Sequence, residues 1–315
     1  MKRTIVFLAV IILGIFTSQS NAQAKLSVIA TTTDLKALVG EIGGDLIEVQ
    51  SIAKGTQDPH FIEAKPSYMT KTSKADLIIA VGLDLEVGWL PSIVRGSRNP
   101  KLNPGNPGYL EIGPLIDPLE VPSGKMTRAE GDVHPFGNPH FMLDPIRMGT
   151  SAIKTAERLG QLDTAHQALY MEKAKALQTR LVEKTKGWQA RIAKSGVKKI
   201  VTYHKTLTYF FDRFKIENPA ILEPKPGIPP TSGHILDVIQ IIKAQKVPLI
   251  MVENYFDPTV TNRIKEAIPE IRSSTVPVAV DGAPGIKTLD DLYENLVSTV
   301  VSATASAAVS TTEGK

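Results

Sequence analysis

Two short segments of this chain carry the same chemistry. QDPHF at residues 57–61 and GNPHF at residues 137–141 each set a histidine between a proline and a phenylalanine, with Asp58 or Asn138 in front. Proline holds its own φ at about −65° and drives the residue before it to extended backbone. Each imidazole therefore leaves a stiff turn, and two such turns point to rings aimed at a common spot. A third histidine, His204, directly follows the run KKIVTY, at the carboxyl end of an expected strand. Neutral imidazoles ligate divalent transition ions, and three of them suit Zn²⁺. Tetrahedral closure wants a fourth ligand. By position the first choice is Asp281, after PVAV, with Glu253, after PLIMV, or water in reserve. The separations between His60, His140 and His204 match no short local motif, so only the fold can bring them together.

The other three histidines read differently. His166 falls in the first turn of an expected long helix, where solvation is the plain expectation. His234 opens another helix behind Thr231 and Ser232 and reads as structural. His134, in GDVHPFG, lies six residues before His140 and is a candidate relay for metal. The stretch EPKPGIPPTSGH, residues 223–234, carries Pro224, Pro226, Pro229 and Pro230 and reads as a stiff connection.

The elements that must position these residues alternate between strand and helix signals. Leu26–Thr31, Leu46–Ile52 and Asp76–Val81 read as strands. Thr32, Thr33 and Asp34 offer an N-cap to a helix over Leu35–Ile42, and Ser67 a cap to a short helix after Pro66. That rhythm predicts an α/β lobe with a parallel sheet over residues 25–162. From Asp163 to Gly196 the chain has no proline, and Tyr170, Ala174, Leu177, Leu181, Trp188 and Ile192 recur at helical spacing. This predicts one linking helix over 163–196, capped by Asp163. A second α/β lobe follows over 197–302, with strands at Lys198–Tyr203, Ala220–Leu222, Pro248–Val252 and Pro277–Val280. Its helices are expected at His234–Gln245, Pro258–Ile268 and Thr288–Val301, before a polar tail over 303–315. The fold class expected is α/β: two lobes with parallel-type sheets joined by a single long rigid helix. The metal site would lie in the interlobe cleft, outside the carboxyl ends of strands.

Residues 1–24 read as a cleaved signal peptide: Lys2 and Arg3, an apolar run from Ile5 to Phe16, then Ala22-Gln23-Ala24. The apolar run is shorter than the ~20 residues that span a bilayer. The chain of 315 residues contains no cysteine, so disulfides, thiolate metal sites and attachment of lipid through an N-terminal cysteine are not expected. The location expected is periplasmic, with no lipid anchor. Of the formal net charge of +4, two positive charges belong to Lys2 and Arg3. The rest gives no electrostatic footprint for nucleic acid.

QDPHFIEAKPS, GNPHFMLDP, YHKTLTYFFDRF and VENYFDPTVTNRI together resemble the metal-binding solute-binding proteins of bacterial ABC transporters, the zinc and manganese branch called cluster A-I. The resemblance runs from about Lys25 to Val301 and implies two α/β lobes, one rigid linking helix and a metal held between the lobes by His60, His140, His204 and Asp281. Three histidines imply zinc, with manganese or a broader range as the alternative. It implies a monomer that captures the ion and hands it to an ABC permease in the inner membrane. Family members often carry a long histidine-rich acidic loop before the second ligand; here MTRAEGDVHPFG is short and has one histidine. A metallohydrolase would use the same ion with an open position and a base such as Glu63 or Glu253, yet there is no H-E-x-x-H helix. An adhesin is the third reading, and the absence of a lipid anchor argues against surface display.

Overall fold

A computed structural model describes residues 25–124, 134–225 and 227–304. The expected signal peptide, most of the loop before His134, Pro226 and the tail beyond residue 304 lie outside the described residues. The first lobe holds a parallel sheet of β1 (Leu26–Ala30), β2 (Ile47–Ser51), β3 (Leu77–Ala80) and β4 (Tyr109–Glu111), in the order β2-β1-β3-β4. The second holds β5 (Ile200–Thr202), β6 (Leu249–Glu253) and β7 (Arg272–Val276), also parallel and in sequence order. β3 and β6 are buried at every position, as strands covered on both faces must be.

Helix α1 (Thr33–Gly43) starts where Thr32 accepts the Leu35 N–H. α2 (Pro66–Thr72) begins on Pro66 itself, which needs no N–H at a helix start. Ser67 therefore lies inside this helix instead of capping it. α3 is Leu90–Ser97. α4 (Pro145–Leu162) was not anticipated as a separate element. It is capped by the Asp144 carboxylate, which accepts the Ile146 N–H. A short 3-10 turn over Thr164–His166 then leads into α5, Gln167–Ser195. α5 has 29 residues, so at ~1.5 Å each it runs roughly 44 Å. Asp163 does not cap it. Its carboxylate accepts instead from the Tyr170 hydroxyl at 2.7 Å and pairs with the His166 ring at 2.7 Å.

All six residues expected along one stripe of α5 are buried. They belong to one continuous apolar core that takes in Val28 and Leu77 from the first lobe and Ile200, Leu249 and Tyr293 from the second half. The linking helix is thus packed along one face against the core of both halves. Bending it would expose side chains whose burial stabilises by ~1.5–3 kcal/mol each. Two smaller clusters close the outer faces, one under each sheet.

In the second lobe α6 is Thr208–Phe214, α7 Ser232–Gln245, α8 Thr259–Ala267 and α9 Leu289–Ser302. Thr288 and Asp291 form a reciprocal capping box at the start of α9. Two strand expectations fail here. Ala220–Leu222 contributes one isolated bridge, between Thr202 and Ile221. The strand expected at Pro277–Val280 lies instead at Arg272–Val276, although Val278 and Val280 are buried. Apolar alternation reports burial, and Pro277 has no N–H for a ladder.

Two sets of contacts tie the halves together. The buried Asp144 carboxylate takes Arg147 Nη1 at 2.7 Å and both Nε and Nη2 of Arg213, on α6, at 2.8 Å. On the other side Asp34 accepts the Val280 N–H at 2.9 Å, and Asn254 donates to the carbonyls of Gly55 and Gly282. A Cβ on Gly55 would come within 2.2 Å of the Val280 oxygen, so this crossing of backbones admits only glycine.

Removing Asp144 takes the carboxylate from Arg213, leaves Arg147 with the Asp117 carbonyl and Asp212, and uncaps α4. Asp144→Ala is expected to lower stability by about 3–5 kcal/mol, read from urea unfolding; a loss below 1 kcal/mol would show that the pairing is dispensable. Burial raises the Asp34 carboxyl to about 7, against the lowering effect of the Val280 N–H and with Asp281 adding to the rise. The folded state therefore holds this proton more tightly than the unfolded chain, whose aspartates titrate near ~3.9. Stability from this group is complete at about pH 4 and is lost as pH rises through 7. Asp34→Asn is expected to remove that decline, on the order of 4 kcal/mol, and parallel pH–stability curves for both proteins would refute it.

Candidate metal centre

The two Pro-His-Phe segments are the same turn. Asp58 Oδ1 accepts the His60 N–H at 2.9 Å, and Asn138 Oδ1 accepts the His140 N–H at 2.9 Å. An Asx side chain closes each turn onto the residue two ahead, with the proline between them fixing the geometry. The differences between the copies are informative. The Asp58 carboxylate also takes His60 Nδ1 at 2.6 Å, and Trp89 anchors the turn through the Pro59 carbonyl at 2.9 Å. Asn138 instead uses its amide N–H groups, which an aspartate lacks, to reach the Lys205 carbonyl and Glu120 Oε2, both at 3.1 Å. The Tyr209 hydroxyl donates to the Asn138 carbonyl at 2.6 Å. The second turn is thereby bound to the segment that carries His204.

His204 lies just beyond β5. Its N–H donates to Glu253 Oε1 at 3.3 Å, and its Nδ1 meets Glu223 Oε2 at 2.5 Å. Glu223 is in turn held by the Gly227 N–H at 2.7 Å. A carboxylate on Nδ1 of His60 and of His204 keeps the proton there and leaves Nε2 with its lone pair outward. His140 Nε2 is buried with no hydrogen-bond partner, the mark of a nitrogen waiting for a ligand. Burial, then the nearby His60 and His204, hold the His140 ring well below the usual histidine range, so it is neutral at pH 7. Burial raises the Asp58 carboxyl, but the hydrogen bonds from the His60 ring and backbone N–H help to more than offset it, and Asp58 stays ionised.

Each of His60, His140 and His204 offers a ring nitrogen, and all three nitrogens lie within 4.8 Å of one another. The ring centroids are 5.2 to 5.7 Å apart. This donor set fits a divalent ion that accepts imidazole. Asp281 is not brought to this group. It sits in a left-handed turn with φ of 60°, 36% exposed, and its carboxylate pairs with Lys287 at 2.7 Å and Lys36 at 4.0 Å. Its placement was inferred from a strand over Pro277–Val280 that does not form. Glu253 is fully buried beneath the His204 backbone, and burial raises its carboxyl to about 8; it supports His204 and is outside the group of three.

The sequence reading missed the roles of Asp58 and Glu223. The signal for Asp58 was an Asx residue two before a histidine. Nothing local marked Glu223, which depends on a contact 19 residues away. His234 is tied to the Ile221 carbonyl at 2.8 Å, a structural place, and His166 is paired with Asp163 far along the chain from the cluster.

Comparison with known proteins adds the following. The family described as zinc-uptake complex component A, periplasmic, matches residues 28–307. The metal ABC transporter substrate-binding lipoprotein ScbA of Streptococcus cristatus is 28% identical over 245 residues, covering 76% of each chain. The manganese ABC transporter substrate-binding lipoprotein PsaA of Streptococcus mitis is 27% identical over 261 residues, covering 80% of this chain and 81% of that one. Among solved structures, ZnuA superposes with a TM-score of 0.74 at 19% identity, covering 89% of this chain and 99% of the other. The expectation of a periplasmic chain with no lipid anchor is corrected by the Streptococcus relatives, which are lipoproteins by name. The absence of cysteine, on which it rested, bears on one attachment chemistry alone. The argument against surface display falls with it.

Asp58→Asn keeps the turn but removes the charge on His60 Nδ1, and Glu223→Gln does the same for His204. Each is expected to weaken metal binding by about 10–100-fold with an unchanged circular dichroism spectrum. Unaltered affinity in both would show that the carboxylates do not orient the rings.

Proposed function

The chain belongs to the zinc-uptake complex component A family, and from that premise we propose that it captures Zn²⁺ and delivers it to the membrane permease of an ABC transporter. Its general place is that of a metal ABC transporter substrate-binding protein, and not an enzyme. The ion is cargo. His60, His140 and His204 hold it, each through one ring nitrogen. The observation that carries this reading is the buried, unpartnered Nε2 of His140 inside a triangle of imidazoles. Nitrogen donors favour zinc, whereas manganese prefers carboxylate and water oxygens, and the carboxylates nearest the rings here are occupied with Nδ1 protons.

Delivery follows from the packing. The shared core around α5 resists a wide hinge opening, so release proceeds through local movement of the loops bearing His60 and His204. The chain divides, on this reading, into lobes over 25–162 and 197–302 around the linking segment 163–196, and it works as a monomer.

The test is metal analysis of the purified chain as isolated, then competitive titration with Zn²⁺ and Mn²⁺. One zinc per chain, not displaced by manganese, is the expected result. His60→Ala, His140→Ala and His204→Ala should each weaken binding by roughly 100-fold or more, since losing a ligand exceeds losing its support, and His166→Ala should leave it unchanged. Manganese preference would overturn the choice of ion, and unaltered affinity in two of the three variants would overturn the site.

A further inference from the structure

The three-histidine group leaves a fourth imidazole unexplained. His134 Nε2 stands 3.2 Å from His60 Nε2, and its ring centroid lies 5.2 Å from that of His60 and 6.5 Å from that of His140. Two nitrogens sharing a tetrahedral zinc at ~2.0–2.1 Å stand ~3.3 Å apart. The His60–His134 separation is thus that of one edge of a coordination tetrahedron, while His134 stands outside the group of three whose nitrogens all lie within 4.8 Å of one another. Because Asp58 holds the proton on His60 Nδ1, the His60 Nε2 lone pair faces His134.

The chain presents His134 and His140 from consecutive turns. The Gly137 N–H closes onto the His134 carbonyl at 3.2 Å, and the Asn138 N–H onto Leu119 at 2.8 Å. Gly137 has φ of 109°, and a Cβ there would meet the Leu119 oxygen at 2.9 Å, so this turn needs glycine. His134 Nδ1 is buried with no hydrogen-bond partner.

We propose that His134 is the fourth ligand of the captured ion, in the position the sequence reading gave to Asp281, so that the site is built of four imidazole nitrogens and no carboxylate. The proposal rests on the carrier reading above. It assigns a specificity role: with only nitrogen donors the site follows the order in which Zn²⁺ is bound far more tightly than Mn²⁺, and the single histidine of this short loop does what an oxygen ligand would otherwise do.

The experiment loads the metal-free chain with one equivalent of Zn²⁺, counts imidazoles by X-ray absorption, and measures affinity against a chromophoric chelator for the wild type, His134→Ala, His134→Gln and His60→Ala. Four imidazoles are expected in the wild type. Both His134 variants should still bind one zinc, roughly 100-fold more weakly, with three imidazoles and one oxygen. His134→Asp should narrow the preference for Zn²⁺ over Mn²⁺. Three imidazoles in the wild type, or unchanged affinity in both His134 variants while His60→Ala loses binding, would overturn the assignment of His134 and leave the carrier reading standing. A wild type that binds no zinc at one per chain would overturn both.

Discussion

Imidazole nitrogens gathered with their lone pairs facing one another repel, and in a buried place they have no water to turn to. A protein can hold them there only if other contacts fix each ring before the ion arrives. Here that constraint falls on the protons of Nδ1. Asp58 and Glu223 hold them for His60 and His204, which settles the tautomer, aims each Nε2, and keeps two carboxylates off the ion. Burial keeps His140 neutral without any such partner.

The rest of the scaffold keeps the three carriers of these rings from moving apart. The two Asx turns are stiff in themselves. Asn138 goes further and bonds the carbonyl next to His204, so the second and third rings share a frame. Asp144 and Arg213 lock the base of that frame, and α5 carries the core continuously through both lobes. On the carrier reading proposed above, a site formed this way is pre-organised, and the core packed around α5 leaves release to loop movement.

Much of this was legible from local pattern. The repeated Pro-His turn, the stripe from Tyr170 to Ile192 and the strands bearing His204 and Glu253 follow from short-range sterics and periodicity, which nearby residues set alone. The errors came where burial and pairing part company. Val278 and Val280 are apolar because they enter the core, yet Pro277 ends the ladder, and Asp281 was misplaced with the strand that carried it. α4 was not read as an element, and the linking helix begins at Gln167, behind a 3-10 turn, instead of at Asp163.

The sequence by itself determined the residue types that can bind a transition ion, the stiffness of the turns presenting two of them, and the two-lobe α/β plan with its long helix. Those are consequences of backbone sterics and of apolar periods over a few turns. The tertiary structure alone decided which atoms meet: that Glu223 orients His204, that Asn138 reaches across to Lys205, that Asp281 turns away to Lys287, and that His134 arrives beside His60. Those contacts join residues 6 to 74 positions apart, and such distances are set by how lobes and loops pack, which no local pattern records.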